Sequence, residues 1–315
     1  MDNLIYSLNA TVPVFVVIVA GYIFKKIGWI NDGFIKASNK LTFTVTLPLL
    51  LIQDMMNNDF LKKFDLTYVL FCFFVTLLCC IGTTIVTKIV MKDKSIIAEF
   101  VQASYRSSAA VLGAAFILNI YGDAGMLPLM IIGAVPLYNV YAVIILTVEC
   151  PEKGAKQEKT LAKTLKGIAT NPIILGIVIG VIFSALKIKF PPMLDNTVNN
   201  FAKITTPLAL LAIGGSFEFG KAIERMKPAV IATALKLVGW PLIFLPIAIK
   251  MGFRNDELMA LVIMLGSPTT PSCYVMAKSM RSEGILTSSV IVLTTLFSAF
   301  SITGIIFVLR SLGYL

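Results

Sequence analysis

Histidine is absent from all 315 residues, and only 14% of them are charged. The first absence removes imidazole proton relays, haem ligation, histidine-based zinc sites and His-dependent triads together. The second lies well below the quarter of charged residues usual in soluble domains. Cysteine is scarce and odd in number, with Cys72, Cys79, Cys80, Cys150 and Cys273. Most of these lie in apolar runs and none has metal-finger spacing, so they read as small buried side chains. The acids are scattered rather than paired, and no HExxH motif is present, which leaves no machinery for intramembrane hydrolysis. No catalytic residue, metal ligand or cofactor is expected, and the chain does not read as an enzyme.

What the chain does have is apolar surface: 57% of its residues are hydrophobic. Apolar runs of about 20 residues, the length that crosses a bilayer, recur along it. This is the pattern of an all-α integral membrane protein. The net charge of +10 sits in short loops and is accompanied by no nucleic-acid-binding motif. The expected partners are therefore a lipid bilayer and a small solute, with no nucleic acid. The Lys25-Lys26 pair follows the first apolar run rather than preceding it, so that run reads as a retained helix and not a cleavable signal.

Polar breaks divide the chain into ten spans, near 4–24, 34–56, 67–90, 96–121, 124–148, 167–187, 194–217, 227–250, 257–281 and 284–309. Lysine and arginine favour one set of loops by better than two to one, which places both termini outside the plasma (inner) membrane. The two halves resemble each other. "VPVFVVIVAGYIF" (Val12 to Phe24) aligns with "NPIILGIVIGVIF" (Asn171 to Phe183), and at the same offset "TLPLLL" (Thr46 to Leu51) aligns with "TTPLAL" (Thr205 to Leu210). Gly125 and Gly284, which open the fifth and tenth spans, obey that offset too. An odd number of spans per half inserts the second half upside down. The expected domains are thus residues 1–150 and 167–315, two inverted five-helix repeats, joined by a cytoplasmic linker at 151–166. Inverted repeats of this kind build transporters.

The most disruptive stretch is "GSPTTPSCYVMA", Gly266 to Ala277, in the ninth span. Pro268 and Pro271 each remove an amide donor, so the helix is expected to unwind around Ser267 to Ser272, although a simple kink is also compatible with two prolines. Its mate in the fourth span reads "SYRSSAAVLGAAF", Ser104 to Phe116. If both helices break at the midplane, the amino-terminal ends of their second halves meet there and form a positively biased site for an anion. Ser107, Ser108, Thr269, Thr270 and Ser272 would supply hydroxyls, and Arg106 a fork suited to carboxylate. Packing is the alternative for the serines, and snorkelling to an interface for Arg106. Asn139 and Tyr141 are polar residues within the fifth span. Lys203 and Lys236 are read as snorkelling side chains. Glu99 and Asp54 are the acids best placed to carry protons if protons drive transport.

On these residues the chain resembles the auxin efflux carrier family, the plant carriers and their bacterial relatives often described as malate or malonate permeases. The resemblance runs the full length and rests on "TLPLLL", "YRSSAAVLG", "PLYNVYAVIILTVE", "SPTTPSCYVMAKSM" and "TTLFS". It implies a scaffold of helices 1, 2, 6 and 7, a mobile core of helices 3–5 and 8–10, and crossed broken helices 4 and 9, as in sodium/proton antiporters and bile-acid symporters. It implies solute contacts at Pro48, Ser107, Ser108, Gly113, Asn139, Tyr141, Pro268 and Thr270. The chain departs from the family pattern at Ser108, where relatives carry asparagine, and at Ala115, where they carry proline. A homodimer through the scaffold is a further expectation.

The function read from all this is alternating-access transport of a small organic anion, a mono- or dicarboxylate. A sodium-coupled carboxylate or bile-acid-type symporter is the nearer alternative, since hydroxyls and carbonyls can hold sodium without acids. A cation/proton antiporter would need acids in the fifth and tenth spans, which have none inside the membrane. A non-transporting sensor would present the same pocket.

Overall fold

A computed structural model describes residues 2–56, 65–108, 125–150 and 166–315. Among the described residues the chain is helical with short connections and no strand. In chain order the helices are α1 (Asp2–Lys26), α2 (Asp32–Leu41), α3 (Leu47–Met56), α4 (Leu66–Val90), α5 (Ile97–Tyr105), α6 (Leu127–Glu149) and α7 (Pro172–Ala185). They continue as α8 (Pro192–Gly215), α9 (Phe219–Glu224), α10 (Met226–Ala234), α11 (Trp240–Lys250), α12 (Asn255–Gly266), α13 (Ser272–Ser279) and α14 (Ile285–Ser311). Among the described residues four stretches are long and apolar enough to cross a membrane: Leu66–Val90, Leu127–Glu149, Met226–Lys250 and Ile285–Ser311. They correspond to the spans expected at 67–90, 124–148, 227–250 and 284–309. Ala115, Gly113 and the second half of the fourth expected span lie outside the described residues, as does the linker from 151 to 165.

Local chemistry sets where these helices begin. The Asp65 carboxylate accepts from the amides of Thr67 at 2.8 Å and Tyr68 at 3.1 Å, capping α4. Asn171 caps α7 through the Ile173 amide at 3.0 Å, with Pro172 at the first position, where its missing donor costs nothing. Glu99, buried in α5, caps a distant helix instead. Its carboxylate accepts from the amides of Gly284 at 2.7 Å and Thr287 at 2.9 Å and from the Ser282 hydroxyl, satisfying the first turn of α14. Gly284 holds φ at 72°, a left-handed conformation that a glycine adopts without strain.

Among the described residues two π-helical turns interrupt otherwise continuous helices, at Thr42–Thr46 between α2 and α3 and at Leu235–Gly239 between α10 and α11. Each ends just before a proline, Pro48 or Pro241. A proline has no N–H to donate to the carbonyl four residues back and its ring pushes that carbonyl aside, so the preceding turn widens. Both turns matter for the site, because one inserted residue rotates everything beyond it by about 100°.

The helices divide by exposure. Beyond its first turn α12 is buried on every side, with Leu258 through Leu265 all in the core. An all-apolar helix belongs in such a position. The outer helices instead expose large apolar side chains in rows, among them Leu70, Phe74, Leu78 and Ile85 on α4 and Phe297, Phe300 and Phe307 on α14. In water such patches would be untenable, whereas lipid solvates them. Glycines bring backbones together at the seams, as small residues do between membrane helices. A Cβ on Gly21 or Gly214 would collide with the carbonyl oxygens of Leu211 and Ile18, which locks α1 against α8. A Cβ on Gly176 would sit 2.9 Å from the Pro48 backbone, and one on Gly180 3.0 Å from Ile52 Cα, which does the same for α7 and α3.

Gly214→Val is expected to force α1 and α8 apart at a cost of about 1–3 kcal/mol or more. A lower melting temperature of the detergent-purified protein, with Gly220→Ala near wild type because nothing lies near its Cβ, checks this.

Candidate functional site

Two interrupted helices meet. α5 stops at Tyr105, and Arg106 is extended at φ −73°, ψ 137°. α12 stops at Gly266, Ser267 is extended at φ −72°, ψ 157°, and regular structure resumes only at Ser272. The two extended strips touch through the Ser108 amide, which donates to the Pro268 carbonyl at 2.9 Å. Prolines at 268 and 271 explain the second interruption. Nothing in residues 104–108 is a helix breaker of that strength, so the first depends on its neighbour.

The interruptions leave carbonyls without amide partners, and side chains from the two breaks and from three other elements take them over. The Ser107 hydroxyl donates to the Met264 carbonyl, which also accepts from the Tyr138 hydroxyl at 3.2 Å. Lys236 donates to the Leu265 carbonyl at 2.6 Å. Thr269 donates to the Ala103 carbonyl at 2.7 Å, and the Trp240 indole to that of Ser104 at 2.8 Å. Buried backbone groups cost several kcal/mol each when unpaired in a membrane, so these bonds are conditions for the break.

Beside the crossing lies a cavity of about 130 Å3. Among its lining residues are Arg106, Ser107, Ser108, Asn139, Thr270, Pro271, Ser272 and Asp54. Arg106 dominates it electrically. The side chain is 2% exposed, and one terminal nitrogen donates to Asn139 Oδ1 and Ser272 Oγ, both at 2.8 Å, while the other meets the Met276 sulfur. Asn139 is itself aimed by a bond from its Nδ2 to the Val135 carbonyl at 3.0 Å. The Arg106 Nε has no partner, and among the described residues no carboxylate forms an ion pair with the guanidinium. A buried full charge with an open donor is costly unless something negative completes it.

Other expected site residues lie elsewhere. Tyr141 points away and shares a hydrogen bond of 2.8 Å with Thr84. Thr269 is spent on backbone, its amide donating to the Thr294 hydroxyl and its own hydroxyl to Ala103. Pro268 contributes the carbonyl that holds Ser108. Pro48 is buried against Gly176 on α7, and its helix lines the cavity with Leu47, Leu50, Leu51 and Asp54 instead. Glu99 caps α14. Gly113 lies outside the described residues. The amino-terminal turn of α13 reaches the cavity through Ser272; the partner turn expected at the fourth-span break also lies outside them.

The reading of Lys236 as a snorkelling side chain is overturned: it is 0% exposed and its ammonium ends at the helix break. The π turn that carries it sets that direction, and the Pro241 following it was the available signal. Thr205 and Thr206 are also on the cavity wall, and in the sequence only the repeat motif "TTPLAL" marks them. The Thr205 hydroxyl is buried without a partner.

A bundle of helices with apolar outer faces, and a broken helix beside a buried polar cavity, is the build of a multi-pass membrane protein with room for a small solute. The comparison with known families agrees. The model described as "Membrane transport protein", that of the auxin efflux carriers, matches residues 6–306, and the chain belongs to this family. A protein of Rhizobium meliloti (strain 1021) named "Putative malonate transporter" is 27% identical over 164 residues. That match takes in 50% of this chain and 50% of that protein, so the chain spans about half the length of the curated relative it matches.

Asn139→Ala removes the amide that holds Arg106, and hydrogen bonds to charged groups are worth about 1.5–3 kcal/mol. Its melting temperature is expected to fall clearly below wild type. Tyr141→Phe, which loses only the neutral bond to Thr84, should lose about 1 kcal/mol or less. Parallel melts of the two variants in detergent make the comparison.

Proposed function

We propose that this protein is a secondary carrier for a small organic anion, a mono- or dicarboxylate of the malonate, malate or auxin type, working by alternating access. The observation that carries this reading is Arg106: a buried guanidinium with an unpartnered donor and no carboxylate ion-pair partner among the described residues, facing a cavity. Its planar fork suits a carboxylate, and the hydroxyls of Ser107, Ser108, Thr270, Ser272 and Thr205 surround the space where one would rest. The cavity is smaller than the roughly 300–1,000 Å3 of sites for drug-sized ligands, which favours a compact acid over a steroid.

The architecture we propose is ten spans in two inverted repeats, residues 1–150 and 167–315, joined by the linker at 151–166. Reciprocal packing supports it. Gly21 lies on Leu211 and Gly180 lies on Ile52, and the two glycines are as far apart in sequence as the two partners. Gly125 and Gly284, matched by the repeat, both have positive φ, at 48° and 72°. Helices 1, 2, 6 and 7 would form the scaffold, a homodimer surface among them, and the rest a core that carries the crossing from one face of the plasma membrane to the other, with both termini outside. Asp54 lines the same cavity as Arg106. Its charge opposes anion binding, so a proton taken up there would favour loading and couple the two.

Uptake of labelled malonate, malate and indole-3-acetate into proteoliposomes tests this. Arg106→Gln is expected to lower uptake of the carried acid at least tenfold, in line with the loss of a charge-assisted bond of about 1.5–3 kcal/mol. Asp54→Asn should flatten the dependence of uptake on external pH. Wild-type vesicles that move none of these acids, or Arg106→Gln vesicles that move them normally, would refute the reading.

A further inference from the structure

The charge at Lys236 serves neither as a cavity wall nor as half of an ion pair. Its side chain is 0% exposed, it does not line the cavity, and among the described residues no acid forms an ion pair with it. Its nitrogen is ringed by oxygens instead: the Leu265 carbonyl at 2.6 Å, the Ser107 hydroxyl at 2.5 Å and the Met264 carbonyl at 3.5 Å. An ammonium has three donors, and here are three acceptors. Two belong to the last turn of α12, where the helix dipole places about half a negative charge, and the third belongs to the interruption after α5.

Carbonyl and hydroxyl oxygens converging on one point inside a membrane protein are also the ligands a hard cation takes, replacing its water shell. We infer that Lys236 is a tethered cation: it permanently fills, at the helix crossing, an oxygen cage that a free alkali-metal ion would otherwise occupy. A cation bound to the chain cannot leave with each cycle, so this cage cannot couple transport to sodium. The ammonium also acts on the anion site at one remove. Ser107 accepts from Lys236, donates to Met264, and lines the cavity beside Arg106. Lys236 is therefore a positioning residue that fixes the Ser107 hydroxyl and draws α10–α11, α5 and α12 together.

The part concerning transport rests on the carrier reading above; the part concerning the cage does not, and the first measurement uses no substrate. Full-length protein in detergent is melted in choline, sodium and lithium chloride at equal concentration. Wild type is expected to melt at one temperature in all three. Lys236→Ala is expected to melt lower in choline and to regain several degrees in sodium or in ethylammonium chloride. Lys236→Met, neutral but of similar length, is expected to melt lower and regain nothing, because its side chain fills the cage. A merely structural lysine would give no ion-specific recovery. Wild-type protein stabilised by sodium over choline, or Lys236→Met melting with wild type, overturns the inference. Should the variants fail to accumulate, the wild-type series alone decides, by the presence or absence of a sodium effect. In proteoliposomes, wild-type anion uptake is expected to be equal in sodium and choline, and a several-fold sodium stimulation overturns the inference as well. Vesicles with no uptake in either salt fault the carrier reading, and the melts still decide the cage.

Discussion

A backbone that leaves its helix inside lipid has no water to bond, and that constraint organises this molecule. The carbonyls released at the ends of α5 and α12 are each met by a specific side chain: Met264 by Ser107 and Tyr138, Leu265 by Lys236, Ala103 by Thr269, Ser104 by Trp240. These donors come from α6, from the α10–α11 turn, from the start of α11, and from the two interruptions themselves. Satisfying the break therefore dictates which helices must pack around it. It also explains why polar side chains gather at one of the most buried parts of the chain.

Two cations share this small region and are used differently. Lys236 has every donor engaged by oxygens of the chain, so its charge is neutralised locally by dipoles. Arg106 is held by an amide, a hydroxyl and a sulfur, and still has an unpartnered Nε. One charge has its donors taken by the chain, while the other keeps an unpartnered donor on a side chain that lines the cavity. In a low-dielectric surrounding that difference decides where an anion gains most, because attraction there is screened little. Asp54 at the same cavity supplies the one opposing charge on its described wall.

Close seams give the site a firm frame. The glycine contacts between α1 and α8 and between α3 and α7 set backbone against backbone, leaving no flexible side chain between them to yield. Glu99 ties the first turn of α14 to α5, just ahead of the interruption.

By itself the sequence determined the class and much of the plan. Apolar content, run length and proline are local properties, so helices, lipid exposure and the interruption at Ser267–Pro271 could be read directly, as could the polar residues Arg106, Ser107, Asn139 and Ser272 that gather there. Facing is not local. Lys236 and Tyr141 both read as polar groups on apolar helices, yet one closes the helix break and the other bonds Thr84 away from the cavity. Pro48 read as a lining residue, while Leu47, Leu51 and Asp54 took the wall. In each helix the direction of a side chain depends on the phase of the turn and on which carbonyls lie across from it. The π turns at Thr42–Thr46 and Leu235–Gly239 shift that phase by a residue, and only packing against the neighbours settles whether the shift occurs.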